Sequence, residues 1–204
     1  MNRFVRALTI CMAVSLLTGC DSLRSTKEEK LSLGTWENDV YTSTFVDVSF
    51  TLPEGWIYAS EEEIAAEMNL KSEWLSDEGK HLSEVAKLTS VFDMTASDPV
   101  SNDQVKIMME KLYAEVSMET YIDAFSGNLI NMVVSYETSI GPVDTQVIAG
   151  RKYTSLMTSV AEYDMEQQYF FRKEGSYMIV ILLANMEASQ GSMSEILDAF
   201  SAPE

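Results

Sequence analysis

The latter part of the chain constrains the fold most. Between Val133 and Ala184 four segments rich in β-branched, aromatic and aliphatic residues follow one another: Val133 to Ile140, Thr145 to Val160, Met165 to Arg172 and Tyr177 to Ala184. They are punctuated by Gly141-Pro142, Gly150 and Lys173-Glu174-Gly175. Runs of strands joined by such short turns form antiparallel ladders, because a parallel pair needs a crossover of a dozen or more residues. A doubly wound parallel sheet is therefore disfavoured from the outset.

The upstream half supplies further strands and the first helices. Tyr41-Thr-Ser-Thr-Phe45 and Val48-Ser-Phe-Thr-Leu52 alternate apolar with small polar residues, the period of half-buried strands. Pro53-Glu54-Gly55 ends the second, and Trp56 is expected to fold back over the sheet. Ser60-Glu61-Glu62-Glu63 is a capping box ahead of Ile64, Ala65, Met68 and Leu70, so a helix is expected from about Glu61 to Leu70. Lys71 to Leu82 reads as an exposed polar excursion. Ala86 to Met94 and Val105 to Met109 read as strands either side of the turn-rich Ser97-Asp98-Pro99 and Asn102-Asp103. Ser117 to Met132 places Tyr121, Ile122, Phe125, Leu129 and Met132 on one helical stripe, and a short helix closes the chain from about Met193 to Phe200. The expected architecture is one α/β sandwich of the α+β class, an antiparallel sheet flanked by helices, with no internal repeat.

Composition agrees with a packed domain and narrows its partners. The chain is 46% hydrophobic and 10% aromatic over 204 residues, enough to bury a core and too much for a disordered acidic tail. Fourteen Lys and Arg against 32 Asp and Glu leave a formal charge of −18, a field that repels polyanions and excludes a nucleic-acid partner.

The N-terminus reads as an address. Arg3 and Arg6 precede an apolar run from Ala7 to Leu17, about half the length a helix needs to cross a ~30 Å hydrocarbon core. Leu17-Thr18-Gly19-Cys20 resembles the bacterial lipobox, in which the cysteine thiol is diacylated and the signal is cut immediately before it. The chain is thus divided into a lipoprotein signal peptide (1–19), a lipidated N-terminus and flexible tether (20–39) and a globular domain (40–204). The tether would reach at most about 60 Å fully extended. Two acyl chains hold a protein to a bilayer where one does not. Cys11 leaves with the signal and Cys20 is consumed as a thioether, so no thiol remains to form a disulfide and the core relies on packing. Losing Arg3 and Arg6 takes the charge from −18 to −20. Asp21 resembles the inner-membrane retention signal of didermal bacteria and would carry no such message in a monoderm.

Val48-Ser-Phe-Thr-Leu-Pro-Glu-Gly-Trp56, with a helix start at Ser60, is similar to the opening of PsbP-like (Mog-type) domains and of bacterial lipoproteins sharing that fold. Ala149-Gly150-Arg-Lys-Tyr153, Gln168-Tyr-Phe-Phe171, Gly175-Ser-Tyr177, Ile179-Val-Ile181 and Ser194-Glu-Ile-Leu-Asp-Ala-Phe200 resemble the family's later segments in the same order. The resemblance implies an α/β/α arrangement around an antiparallel sheet and a non-catalytic adaptor or assembly role. It carries no active-site motif and no metal residue onto this chain.

Chemistry-bearing patterns are few. No G-x-S-x-G, S-x-x-K, H-E-x-x-H, G-x-G-x-x-G or P-loop occurs. His81 is the only histidine and is read as a surface residue, so neither a nucleophile–base set nor a zinc site is expected. Asp93, Asp98 and Asp103 surround a turn and Glu61, Glu62 and Glu63 sit at a helix start, where the helix dipole already favours carboxylates. They are read as a solvated acidic face, with weak calcium or magnesium binding as the alternative and no EF-hand spacing. Eleven methionines remain after Met1 and Met12 leave with the signal, scattered as core fillers rather than a copper array. Trp36, Trp56 and Trp74 are ambiguous between core and contact patch.

Taken together, the residues point to a membrane-anchored lipoprotein on the extracytoplasmic side, held by a diacylglyceryl group on Cys20, whose domain binds an unidentified envelope protein or assists assembly. No catalytic, cofactor-binding or metal residue and no cofactor is assigned. A small-ligand or divalent-cation receptor using a cleft between sheet and helix is the alternative, and a carboxylate-dependent hydrolase a third reading. Fractionation with intact-mass analysis is expected to find the mature chain in membranes, beginning at an acylated Cys20. A soluble chain still carrying Met1 would overturn the address.

Overall fold

Polar–apolar alternation and turn chemistry build an antiparallel framework of eleven strands and three α-helices among the described residues, 31–68, 88–132, 138–185 and 193–203 of a computed structural model. In chain order these are β1 (Thr35–Glu37), β2 (Val40–Ser43), β3 (Val48–Thr51), β4 (Ile57–Tyr58), α1 (Glu61–Glu67), β5 (Ser90–Ser97), β6 (Gln104–Lys111), α2 (Met118–Met132), β7 (Thr138–Ile148), β8 (Arg151–Val160), β9 (Met165–Glu174), β10 (Tyr177–Asn185), α3 (Met193–Leu197) and β11 (Phe200–Ser201). A 3-10 turn at Ala161–Tyr163 joins β8 to β9. The export signal, the lipobox and the polar excursion at 71–82 lie outside the described residues. No helix among the described residues is long and apolar enough to cross a membrane.

The α+β class read from the sequence is what the structure shows, with one addition: there are two sheets. A seven-stranded sheet runs β4-β5-β6-β10-β9-β8-β7 and a four-stranded sheet runs β1-β2-β3-β11, every neighbour antiparallel. The small sheet and α3 cover one face of the large one. Tyr41, Val48, Phe50, Phe200 and Ile196 pack there against Met94, Ile107, Ile179 and Phe170. The amphipathic helix α2 covers the other face, its Tyr121, Ile122, Phe125 and Leu129 meeting Leu156, Tyr169, Phe171, Met178 and Val180. The second sheet follows from inward-facing aromatics: Tyr41, Phe50 and Phe200 are too bulky to face water, and the ring of Phe50 lies 4.9 Å from that of Phe200.

The expected helix starts hold. Ser60 accepts from the Glu63 amide while Glu63 reaches back to the Ser60 amide, closing the capping box of α1. Ser117 caps α2 by accepting from the Thr120 amide. The α1 helix ends at Glu67, with Met68 as its C-cap, and is tied to β6 by an ion pair of 3.1 Å from the buried Lys106 to Glu67.

Three sequence readings are corrected. The closing helix, read as running to about Phe200, ends at Leu197, and Phe200 opens β11 opposite Phe50 of β3. Gly141-Pro142 does not end a strand; β7 runs through it as a bulge between Ile140 and Val143, and the reversal comes at Ala149-Gly150, both at positive φ. Since β7 is the outer strand, the missing amide of Pro142 removes no ladder bond that the sheet needs. The folded body also begins before Val40. Asn38 and Asp39, at φ 49° and 62°, form a two-residue turn pairing Glu37 with Val40, so β1 lies inside the segment read as tether, and Leu31 is already buried. Extended chain from Cys20 to Leu31 spans at most about 40 Å rather than 60 Å.

What holds this N-terminal segment is Asp93. It is the extra residue of a bulge in β5, where Phe92 faces Met108 and Met94 faces Ile107, and the bulge turns its carboxylate into the space between the sheets. There it accepts from the Gly34 amide at 2.8 Å, the Tyr41 hydroxyl at 2.6 Å and the Ser43 hydroxyl at 3.3 Å. Gly34 must be glycine: a Cβ there would come within 2.4 Å of the Tyr41 ring. Burial pushes the Asp93 carboxyl up to about 6 from 3.8, although the three donors pull it back. A raised carboxyl favours the protonated fold. Its stabilising contribution is complete below about pH 4 and is lost as pH rises through about 6, a change of about 3 kcal/mol.

Replacing the charge while keeping the shape tests this linkage. Asp93→Asn is expected to narrow the wild-type loss of stability between about pH 4 and pH 7, by up to about 3 kcal/mol in urea titrations at a series of pH values. Parallel stability curves for the two proteins would contradict it.

Candidate functional site

The turn from β2 to β3 spans four residues, 44–47, and meets the start of β8 and the end of β9 through Arg151 and Arg172. Val46 is fully buried beneath it, and Asp47 adopts a left-handed φ of 59° that turns the chain back into β3. Opposite, β8 opens with Arg151 and β9 carries Arg172 and Glu174. Together they border a cleft of about 420 Å³, with Ser32, Thr44 and Phe45 completing its wall.

Charge alternates across this cleft. The Arg151 guanidinium is paired with Asp47, both side chains part-exposed. Arg172 is only 11% exposed, its Nη2 donates to the Val46 carbonyl and its Nη1 stands 3.8 Å from Glu174. That last separation is an ion pair but too long for a hydrogen bond. The Arg172 guanidinium also lies 5.3 Å from the centroid of the Tyr153 ring, a cation–π geometry. Two polar atoms of this arrangement are buried without an acceptor or donor among the described residues, Arg172 Nε and the Tyr153 hydroxyl. Burial pushes that hydroxyl up, and it feels the charges of Arg172, Asp47, Arg151 and Glu174 together.

A hydrogen-bonded relay joins the cleft to the core. Asp93 accepts from the Ser43 hydroxyl, that same oxygen accepts from the Val46 amide at 3.2 Å, and the Val46 carbonyl accepts from Arg172. The chemistry on offer is recognition by charge: guanidinium groups for an oxyanion, carboxylates for an amine, hydroxyls for either.

The residues singled out from the sequence fare differently. Cys20, with Leu17, Thr18 and Gly19, lies outside the described residues, as do His81 and Trp74. The three aspartates do not form a cation site. Asp93 is interior, while Asp98 accepts from the Val100 amide at 2.8 Å and the Ser101 hydroxyl at 3.0 Å, shaping the β5–β6 turn. Glu61, Glu62 and Glu63 occupy the first turn of α1. Among the described residues no three His, Cys, Asp or Glu side chains gather as a metal site. Trp36 stacks on Tyr58 at 4.4 Å, bridging the small sheet to the edge strand β4, and Trp56 is a half-buried neighbour of the core. The sequence reading offers a cleft between sheet and helix as an alternative; the observed cleft lies instead beneath the β2–β3 turn. Its arginines went unnoticed, though one signal was present: Arg172 shares a strand face with the buried Phe170, where alternation calls for an apolar residue.

No family model and no curated protein matches this sequence. Among solved structures the chain is similar to the solution structure of cyanobacterial PsbP (CyanoP) from Synechocystis sp. PCC 6803, with a TM-score of 0.49 and 12% identity over 89% of this chain and 99% of that one. The α+β assignment stands on the strands and helices described above.

The two arginines are expected to differ in weight. Arg172→Ala, which uncovers Tyr153 and frees a buried carbonyl, should cost about 1–3 kcal/mol of stability, and Arg151→Ala less than about 1 kcal/mol, because its pair is largely solvated. Urea unfolding of both variants measures this, and equal losses would refute the greater structural weight given to Arg172 by its Val46 and Tyr153 contacts.

Proposed function

We propose that this chain is a lipid-anchored module on the extracytoplasmic side of a bacterial membrane, which binds another envelope protein or assists assembly without catalysis. The observation that carries this reading is Leu17-Thr18-Gly19-Cys20 behind a short apolar run, only eleven residues ahead of Leu31, the first buried residue described. A diacylated Cys20 would hold the domain within about 40 Å of the bilayer, near enough for membrane proteins and too tethered to diffuse away. The acidic body would be held off an anionic surface, leaving its faces open to partners. Support for protein contact comes from the outer strand β7, an eleven-residue edge exposing Val143 and Val147. Edges of this kind accept an added strand.

A second reading is a small-ligand receptor, favoured by the polar cleft of about 420 Å³ that holds Arg151 and Arg172.

Crosslinking on intact membranes tests the leading reading. A defined heterologous adduct is expected, and recovery of the monomer alone across growth conditions would count against it. Thermal-shift screening tests the second, since a ligand that binds only the native state raises the melting temperature.

A further inference from the structure

We propose that the cleft beneath the β2–β3 turn binds a small zwitterion, an oxyanion and an amine carried on one short molecule. The inference rests on the small-ligand reading of the cleft and not on the lipid anchor.

Three observations converge on it. The first is the balance of charge. In a chain with 32 acidic and 14 basic residues, two arginines and two carboxylates line one concavity and cancel. A simple anion entering it meets Asp47 and Glu174, and a simple cation meets Arg151 and Arg172. A molecule with both signs meets a complement for each.

The second is unspent hydrogen-bonding capacity. Arg172 has five N–H donors in a planar fork, yet among the described residues its Nη2 bonds the Val46 carbonyl, its buried Nε reaches no acceptor, and its Nη1, 3.8 Å from Glu174 and outside hydrogen-bond distance, is the side left for a ligand on the cleft wall. The Tyr153 hydroxyl, on a residue 1% exposed that lies behind the cleft wall rather than on it, is likewise unmatched among the described residues and senses all four charges. A cluster serving structure alone would be expected to saturate such groups, because leaving them unmade is costly. The cation–π contact with Tyr153 and the Val46 carbonyl hold Arg172 in place, so its fork is already oriented before an oxyanion arrives.

The third is size and position. The volume suits a ligand of modest size, and Ser32 and Thr44 are among the wall residues. Ser32 is twelve residues beyond Cys20, so an anchored domain would keep the cleft within reach of headgroups as well as of soluble solutes. The zwitterion chemistry is shared by an ethanolamine phospholipid headgroup and by a free solute of the same kind.

Calorimetry on the full chain in the presence of phosphatidylglycerol nanodiscs, which carry no zwitterionic headgroup, titrated with O-phosphoethanolamine, tests this. Saturable binding is expected. Arg151→Gln and Glu174→Gln, both on part-exposed side chains, should each weaken it about tenfold with at most a small drop in melting temperature. Inorganic phosphate and ethanolamine alone should each bind at least about tenfold more weakly than the joined molecule. Phosphatidylethanolamine in the discs lowers the apparent affinity for the probe if the headgroup is the ligand and leaves it unchanged if a soluble zwitterion is; either result upholds the site. Phosphate binding as tightly as O-phosphoethanolamine would overturn the zwitterion while leaving the small-ligand reading intact. Binding insensitive to both substitutions, or no saturable heat up to about 10 mM probe, would also overturn it. The small-ligand reading itself falls only if the thermal-shift screen is blank as well.

Discussion

A buried carboxylate on a bulge is the constraint around which the rest of the molecule is arranged. Asp93 draws the Gly34 amide, the Tyr41 hydroxyl and the Ser43 hydroxyl onto one group, and so pins the N-terminal segment and the small sheet to the large one. Burying a charge is expensive unless several donors meet it, and here three do. The opposite face of the large sheet carries a counterpart: Glu110 on β6 accepts from the Tyr121 hydroxyl of α2 at 2.5 Å, and both residues are buried. On each face, then, a carboxylate from β5 or β6 orients a tyrosine from the covering layer. Apolar packing alone tolerates sliding between layers, whereas a directional bond between fixed groups selects one registration.

The cleft inherits its geometry from that arrangement. Ser43 passes from Asp93 to the Val46 amide, and the Val46 carbonyl positions Arg172, so the wall of the concavity is set by a relay that begins in the core. The turn residue Asp47, held at positive φ, presents its carboxylate to Arg151 across the gap. Four charges that are 104 to 127 positions apart along the chain, when taken between turn and strands, thus become neighbours. A chain this acidic has few places where a guanidinium group is not outnumbered, and this is one.

Function follows two separable lines. The anchor and the domain that it would display rest on a local N-terminal pattern, and the recognition chemistry rests on the cleft and on the exposed edge of β7. The edge is blunted by the Gly141-Pro142 bulge and by Asp144, features that restrain indiscriminate strand pairing while leaving the outer ladder available to a specific partner. In the proposed readings the cleft would read charge, whereas the edge would read backbone. They lie on different strands and need not serve the same ligand.

Local signals carried much of this. The capping box at Ser60, the stripe of Tyr121, Ile122, Phe125 and Leu129, and the antiparallel meander from β8 to β10 were legible because each depends on neighbours within a few residues or on a simple period. The two-residue turn at Asn38-Asp39 was equally local and was masked by the polar residues before it. What tertiary structure alone decided was pairing at a distance: that β11 returns to β3, that the strand pair at the start of the domain forms a sheet of its own, and that Asp93 points inward rather than toward solvent. A carboxylate reads as a surface residue until a bulge rotates it, and a bulge is defined by the facing strand. The same holds for Arg172, whose role depends on Val46 and Tyr153, residues brought beside it only when the two sheets close. Sequence periodicity states which way a side chain faces within its own element, and only the packed layers state what waits there to meet it.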